Sequence, residues 1–273
     1  MTDKVNSIKS NGPFRLAFVT GASSGIGKAL CRLLAREGIH LAITGRNKHT
    51  LYQLADEIRS HVNVVVYPAD LSKQDEREVI IRKIHELSPD LVINNAGFGL
   101  YGEVVQVDKE ELFQIIEVNE TAVLDLCVES AKAILNSDHN GVILNVSSVG
   151  AFMPFPGNAV YGAAKAFVNS LSLAMDEELR GKGVRVLAAC PGMVKTNFSY
   201  RASQGKQKSK SKKQKMSPEY AAEQIWTQIK KRKPVHIFDG KYRFFVFLIK
   251  YILPTRLVLR YLRKSMSKMY QDV

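Results

Sequence analysis

The chain is short of acid: its 273 residues carry 26 Asp and Glu against 39 Lys and Arg, a formal net charge of +13. It is short of cysteine too, with only Cys31, Cys127 and Cys190, each in an apolar context. Three such thiols do not make a disulfide framework; they read as buried and reduced, as expected of a cytoplasmic protein. No His/Cys/carboxylate group has metal-ligand spacing, so no metal site is expected, and His61 and His85 read as surface or structural residues. Residues 1–13 are polar and lack the apolar core of a signal peptide. The longest apolar run, near the C-terminus, falls short of the ~20 residues a bilayer-spanning helix needs. No internal repeat is visible.

What is present begins with glycine. Residues 15–20 form an apolar run with the character of a buried strand, and Thr20-Gly21-Ala22-Ser23-Ser24-Gly25-Ile26-Gly27 follows at once. Ala29, Leu30, Leu33 and Leu34 then recur at helical spacing, with Gly38 as a plausible stop. Strand, tight turn and helix start come in the order a phosphate site requires, because backbone N–H groups at a helix N-terminus attract anions. The pattern is Gly-x-x-x-Gly-x-Gly rather than the commoner Gly-x-Gly-x-x-Gly, and alone it also suits an ordinary turn. A second strand, 41–44, ends in Gly45-Arg46-Asn47, with Lys48 close by. NAD sites usually place an acid here; Arg46, a cation able to pair with a 2′-phosphate, argues for NADP(H).

Residues 142–147 read as another buried strand that delivers Ser147 and Ser148 to its C-terminal end, where open parallel sheets bind ligands. Tyr161 and Lys165 are four apart and share a helical face. The ammonium is expected to lower the phenol pKa from its usual value near 10 and suit it to proton transfer. Further strands at 62–67, 90–94 and 184–190 alternate with helices at 73–87, 109–135 and 159–181. Such alternation implies a doubly wound, Rossmann-like α/β fold: a parallel sheet with helices on both faces, here one domain over residues 1–273 with a C-terminal helical extension.

Taken together, Thr20–Gly27, Asp70-Leu71, Asn94-Asn95-Ala96-Gly97, Asn119, Ser148, Tyr161, Lys165 and Cys190-Pro191-Gly192-Met193-Val194-Lys195-Thr196 resemble the motifs of the short-chain dehydrogenase/reductase family. The likeness runs from about residue 15 to 196, and no motif is broken. It implies an enzyme that interconverts a carbonyl and an alcohol by hydride transfer, with Tyr161 as acid or base. Lys165 would bond the nicotinamide ribose, Ser148 would polarise the carbonyl, and Asn119 would hold a water linking Lys165 to solvent. Gly21, Ser23, Ser24, Gly25, Ile26 and Gly27 would cradle the pyrophosphate. Asp70 and Leu71 would face the adenine, and Asn95, Ala96 and Gly97 the adenosine ribose. Pro191, Gly192, Val194 and Thr196 would position the nicotinamide. Members commonly form dimers or tetramers through the helices that correspond to 109–135 and 159–181.

The charge is appended to a nearly neutral body. Segment 201–215 (Arg201, Lys206, Lys208, Lys210, Lys212, Lys213, Lys215) and segment 241–273 each carry +7, and the rest sums to −1. The first reads as a mobile loop, which the resemblance places over the substrate. Its attraction to an acidic acyl carrier, a CoA phosphate or an anionic membrane is open; nucleic acid is disfavoured, since aromatics do not interleave it. In the tail, an apolar run at 242–254 precedes a helix at 255–269. That helix puts Arg256, Arg260, Arg263 and Lys264 on one face and Val258, Tyr261, Leu262, Met266 and Met269 on another. The pattern suits a peripheral membrane anchor or packing on the body or a second subunit. A hydrophobic substrate, a 3-oxoacyl thioester or a lipid ketone, is expected. The competing class is an NADPH-binding scaffold or redox sensor without turnover, against which the intact set of Asn119, Ser148, Tyr161 and Lys165 weighs.

Overall fold

A computed structural model describes residues 13–137, 139–205 and 216–270. Seven strands form one parallel sheet: β1 (Leu16–Thr20), β2 (His40–Gly45), β3 (Val64–Pro68), β4 (Leu91–Asn94), β5 (Gly141–Val146), β6 (Val184–Cys190) and β7 (Val235–Ile237), in the order β3-β2-β1-β4-β5-β6-β7. The helices are α1 (Gly25–Arg36), α2 (Lys48–Ile58), α3 (Gln74–Leu87), α4 (Lys109–Ile116), α5 (Ala122–Leu135), α6 (Ala159–Leu179), α7 (Phe198–Ala202), α8 (Pro218–Lys231), α9 (Gly240–Tyr251) and α10 (Thr255–Tyr270). The five inner strands are buried on both sides, so they read as continuous apolar runs, while the edge strands β3 and β7 are only partly buried. In β1, Ala17 and Val19 enter a core with Leu30, Leu34, Leu54 and Ile225 from α1, α2 and α8. Leu16 and Phe18 enter the opposite core with Ile80, Ile84, Leu126 and Val168 from α3, α5 and α6. The chain leaves β1 for β2 and β3, then returns to the other side of β1 with β4. The crevice at that reversal, beyond the strands' C-terminal ends, is where such sheets bind ligands.

The helix expected over 109–135 is continuous in direction but not in hydrogen bonding. Glu117–Thr121 form a π-helical turn between α4 and α5, which wraps an extra residue into the ladder and turns Asn119 into the interior. Arg77 fastens this turn. Buried on α3, it donates to Glu117 Oε2 (2.9 Å), Asp125 Oδ2 (3.1 Å) and the Leu71 carbonyl (3.1 Å). It therefore ties the loop after β3 to the turn that carries Asn119. Helices α2 and α8 and strand β7 are additional to the expected elements.

The tail packs on its own body. Val258 and Leu262 of α10 and Val246 of α9 are buried with Val149 and Met153. Of the readings open for the apolar face of residues 255–269, packing on the body is the one these two residues adopt. They are therefore unavailable to a membrane or a second subunit. Tyr261, from the same face, stays exposed, and the side chains of Met266 and Met269 lie outside the described residues. Outward, the tail shows Phe244, Phe247, Tyr251, Ile252, Leu253, Leu257 and Tyr261. Among the described residues no helix is long and apolar enough to cross a membrane. Lys206, Lys208, Lys210, Lys212, Lys213 and Lys215 of the basic run lie outside the described residues; Arg201 is exposed at its start.

Replacing Arg77 by Leu removes three hydrogen bonds, two of them to carboxylates. The expected loss is about 2 kcal/mol, at the lower end for charged bonds because Glu117 and Asp125 remain partly hydrated. Urea unfolding of R77L beside the native chain checks this; an unchanged midpoint contradicts it.

Candidate active site

The turn after β1 is shaped for close approach of a ligand. Gly21 adopts φ +65° and Gly25 φ +55°, left-handed values that favour glycine. A Cβ on Gly27 would stand 2.4 Å from the Gly21 carbonyl oxygen, so a larger residue would open the turn. Asn95 holds the turn from the far strand: its Nδ2 donates to the Thr20 and Gly21 carbonyls at 2.9 and 3.2 Å. The Asn95 Nδ2 thus braces the loop, and the residue lines the cleft. Ser24 stands at the N-cap of α1 without a side-chain cap bond, and α1 has no acid in its first turn. Orphan N–H groups and a positive helix end therefore face the cleft, an arrangement that fits a pyrophosphate.

The other residues expected to meet a nucleotide line the same cleft of about 1200 Å³. Arg46 sits exposed at the end of β2 and makes no ion pair among the described residues. Asp70 is half-buried; its Oδ1 accepts from Ser72 N (3.1 Å) and Ser72 Oγ (2.9 Å), while Leu71 is buried behind it. Ala96 N–H donates to Thr20 Oγ1 at 3.0 Å, which fixes the strand end beside Gly97. Across the cleft lie Pro191, Gly192, Val194 and Thr196; a Cβ on Gly25 would meet Thr196 Cγ2 at 2.9 Å.

Between these walls lie the four polar residues of the resemblance. Lys165 is buried, and its Nζ donates to the Val146 carbonyl at 2.9 Å. Among the described residues no carboxylate neighbours it, and burial lowers its pKa to about 8. Asn119 Nδ2 donates to the Phe98 and Ile115 carbonyls (2.8 and 3.0 Å), whereas its buried Oδ1 has no partner. That oxygen and the ammonium approach the same point: a Cβ on Gly97 would lie 2.5 Å from Asn119 Oδ1 and 3.2 Å from Lys165 Nζ. Ser147 turns inward and donates to the Lys165 carbonyl at 3.0 Å. Ser148 faces the cleft, accepts from Gly150 N–H at 3.1 Å and hydrogen-bonds Tyr161.

One electrostatic expectation is corrected. The Tyr161 pKa is not lowered but pushed up to about 12. Burial dominates, and the bond from Ser148 opposes it without prevailing. The Lys165 ammonium stands 5.7 Å from the tyrosine ring centroid, and its proton is aimed at Val146. The phenol is therefore held protonated at neutral pH.

The substrate end of the cleft holds residues not singled out in the sequence. Phe198 tilts over Tyr161 at 5.3 Å between ring centroids, and Tyr101, Met153 and Phe155 add apolar wall. The tail supplies the roof, with Tyr242, Phe245, Tyr261 and Leu262. Tyr242 lies on Gly192, where a Cβ would be 2.2 Å from its ring, and its hydroxyl accepts from Met193 N–H at 3.3 Å. The sequence signals for this roof were the apolar face that carries Tyr261 and Leu262 and the i, i+3 spacing of Tyr242 and Phe245. That spacing lies inside an apolar run that equally suits an anchor.

A doubly wound sheet with an uncapped, glycine-lined helix end at its switch point defines a dinucleotide-binding protein. The model of the short chain dehydrogenase family matches residues 15–207, and the chain belongs to that family of oxidoreductases. It is 32% identical over 196 residues to an uncharacterised oxidoreductase of Staphylococcus epidermidis, covering 71% of this chain and 84% of that one. Among solved structures it is similar to a short-chain dehydrogenase from Sphingobium yanoikuyae in complex with NADPH. There the TM-score is 0.77 at 28% identity, over 93% of this chain and 95% of that one. It is also similar to a bulky-bulky ketone specific alcohol dehydrogenase from Comamonas testosteroni, with a TM-score of 0.74 at 27% identity, over 94% and 95% of the two chains.

Proposed function

We propose that the protein interconverts a carbonyl and an alcohol on an apolar small molecule or acyl chain, with NADP(H) as its cofactor and Tyr161 as the acid or base. The observation that carries this reading is the buried Lys165 ammonium without a counter-charge, beside a protonated Tyr161 and the unpaired Asn119 Oδ1, in one cleft with an uncapped helix end. When bound, the reduced nicotinamide supplies the hydride that reaches the carbonyl carbon. Ser148 donates a hydrogen bond to the carbonyl oxygen and orients it. In reduction Tyr161, in the protonated form that burial favours, gives that oxygen its proton. The proton returns to Tyr161 through Lys165 and a water held at Asn119 Oδ1, where an orphan acceptor favours one.

The first turn of α1, with Gly21, Ser23, Ser24, Gly25, Ile26 and Gly27, would hold the pyrophosphate. Arg46 would pair with the 2′-phosphate, since an exposed guanidinium without an ion-pair partner is free to do so. Asp70 and Leu71 would meet the adenine, Asn95, Ala96 and Gly97 the adenosine ribose, Lys165 the nicotinamide ribose, and Pro191, Gly192, Val194 and Thr196 the nicotinamide. The aromatic wall of Tyr101, Phe155, Phe198 and Phe245 supports a hydrophobic substrate, and the similarity to a bulky ketone dehydrogenase agrees with it. A 3-oxoacyl thioester carried by an acidic protein and a lipid ketone both fit the basic segments. Exposed Phe113, Leu124 and Leu173 on α4, α5 and α6 support a homodimer or homotetramer through those helices. The three free, buried thiols suit a cytoplasmic setting.

Tyr161→Phe is expected to lower ketone reduction by roughly 10²–10⁴-fold, the usual worth of a positioned acid, while NADPH binding survives. Steady-state NADPH oxidation and a fluorescence titration measure the two; full activity contradicts the assignment. If no aldehyde, ketone or oxoacyl thioester is turned over although NADPH binds tightly, the scaffold reading holds instead. Arg46→Asp is expected to lower the NADPH-to-NADH preference in kcat/KM by about tenfold or more, from the loss of a charged hydrogen bond. An unchanged ratio removes Arg46 from the 2′-phosphate.

A further inference from the structure

The tail has two faces with different partners. Its inner face roofs the cleft, through Tyr242, Phe245 and Leu262. Its outer face carries seven of the seventeen large apolar side chains exposed among the described residues, all within residues 244–261. Phe244, Phe247 and Tyr251 recur along one stripe of α9, and Leu257 and Tyr261 along one stripe of α10. Such density is unusual on a solvated surface. Exposed bases interleave the apolar residues: Lys241 and Lys250 on α9, and Arg256, Arg260 and Arg263 on α10. No acid occurs between Asp239 and Asp272. Lys250 Nζ lies 5.3 Å from the Tyr251 ring centroid, which sets a charge beside an exposed ring.

We propose that this outer face docks on an anionic bilayer surface and that apolar substrate enters the cleft from it, beside Tyr261. Aromatic rings flanked by Lys and Arg, on helices too short to span, describe an element that lies in the interface plane. A second copy of the chain is a poor occupant, because a two-fold contact would set the same bases against each other with no acid to offset them. A small acidic protein matches the charge but offers no apolar phase for the exposed rings. Tyr261 joins the two faces: it is 63% exposed and also lines the cleft, which therefore opens at the patch. The face engaged is not the Val258–Leu262 face expected from the sequence pattern, which is buried against Val149 and Met153. Docking is independent of the redox reading; delivery of substrate rests on it.

The test is co-sedimentation of the full chain with phosphatidylcholine vesicles, with and without phosphatidylglycerol, beside an assay of NADPH oxidation on a water-soluble ketone. The expected result is pelleting with the anionic vesicles that weakens as salt rises. It should fall by about tenfold or more in Phe244→Ser/Tyr251→Ser and in Arg256→Gln/Arg260→Gln, with turnover of the soluble ketone unchanged in both. Absence of pelleting with anionic vesicles overturns docking, as does pelleting that neither pair of substitutions alters. So does a dimer that Phe244→Ser dissociates while vesicles bind nothing, since the face is then covered by a second copy. A chain that pellets yet reduces no ketone keeps the docking and overturns the delivery.

Discussion

An ammonium buried against a backbone carbonyl, with no carboxylate beside it, is the constraint around which the site is arranged. The depression of Lys165 to about 8 corresponds to roughly 3 kcal/mol against the charged form. A fold that needed only structure at this position would be more stable with an apolar side chain there. The surroundings keep the amine in place instead: Val146 accepts its proton, Gly97 leaves room above it, and Asn119 turns an unpaired oxygen toward the same space. The π-turn that sets Asn119 is secured in turn by Arg77, three elements away in the chain. A hydroxyl-rich, anionic ligand offers what these groups lack.

The raised phenol belongs to the same economy of burial. The Tyr161 phenol is buried beside Phe198, and although the Ser148 bond opposes the shift, its acid form dominates at neutral pH. Lys165 does not counter this: its ammonium is 5.7 Å from the ring centroid and donates to the Val146 carbonyl rather than to the phenol oxygen. Burial thus shifts both groups toward their neutral forms, the phenol upward and the amine downward. Any change that brings the ammonium toward the phenol narrows that gap.

The central sheet and the polar cluster were legible in the sequence because each rests on local pattern. Buried parallel strands are continuous apolar runs, glycine marks the turn, and Tyr161 and Lys165 share a face at a spacing any helix enforces. What was not legible depends on packing between distant segments. The π-turn at Glu117–Thr121 has the composition of an ordinary helix. The direction of the Tyr161 shift depends on how far Phe198 and the tail exclude water, which spacing does not encode. Asn95 reads as a ligand-facing residue from its motif; that its amide also braces the Gly21 turn depends on a contact between distant segments. In the tail, Val258, Tyr261 and Leu262 share one helical face, but the fold divides them between the core and the cleft mouth.

The most direct test of this account is the titration of Lys165 by NMR, with carbon-13 at its ε-position, in the cofactor-free chain and again with NADPH. The account predicts a midpoint near 8 in the free protein and a clear upward move once a ligand's hydroxyls and charge meet the ammonium. A midpoint near the ordinary lysine value in the free protein, unmoved by NADPH, would contradict it.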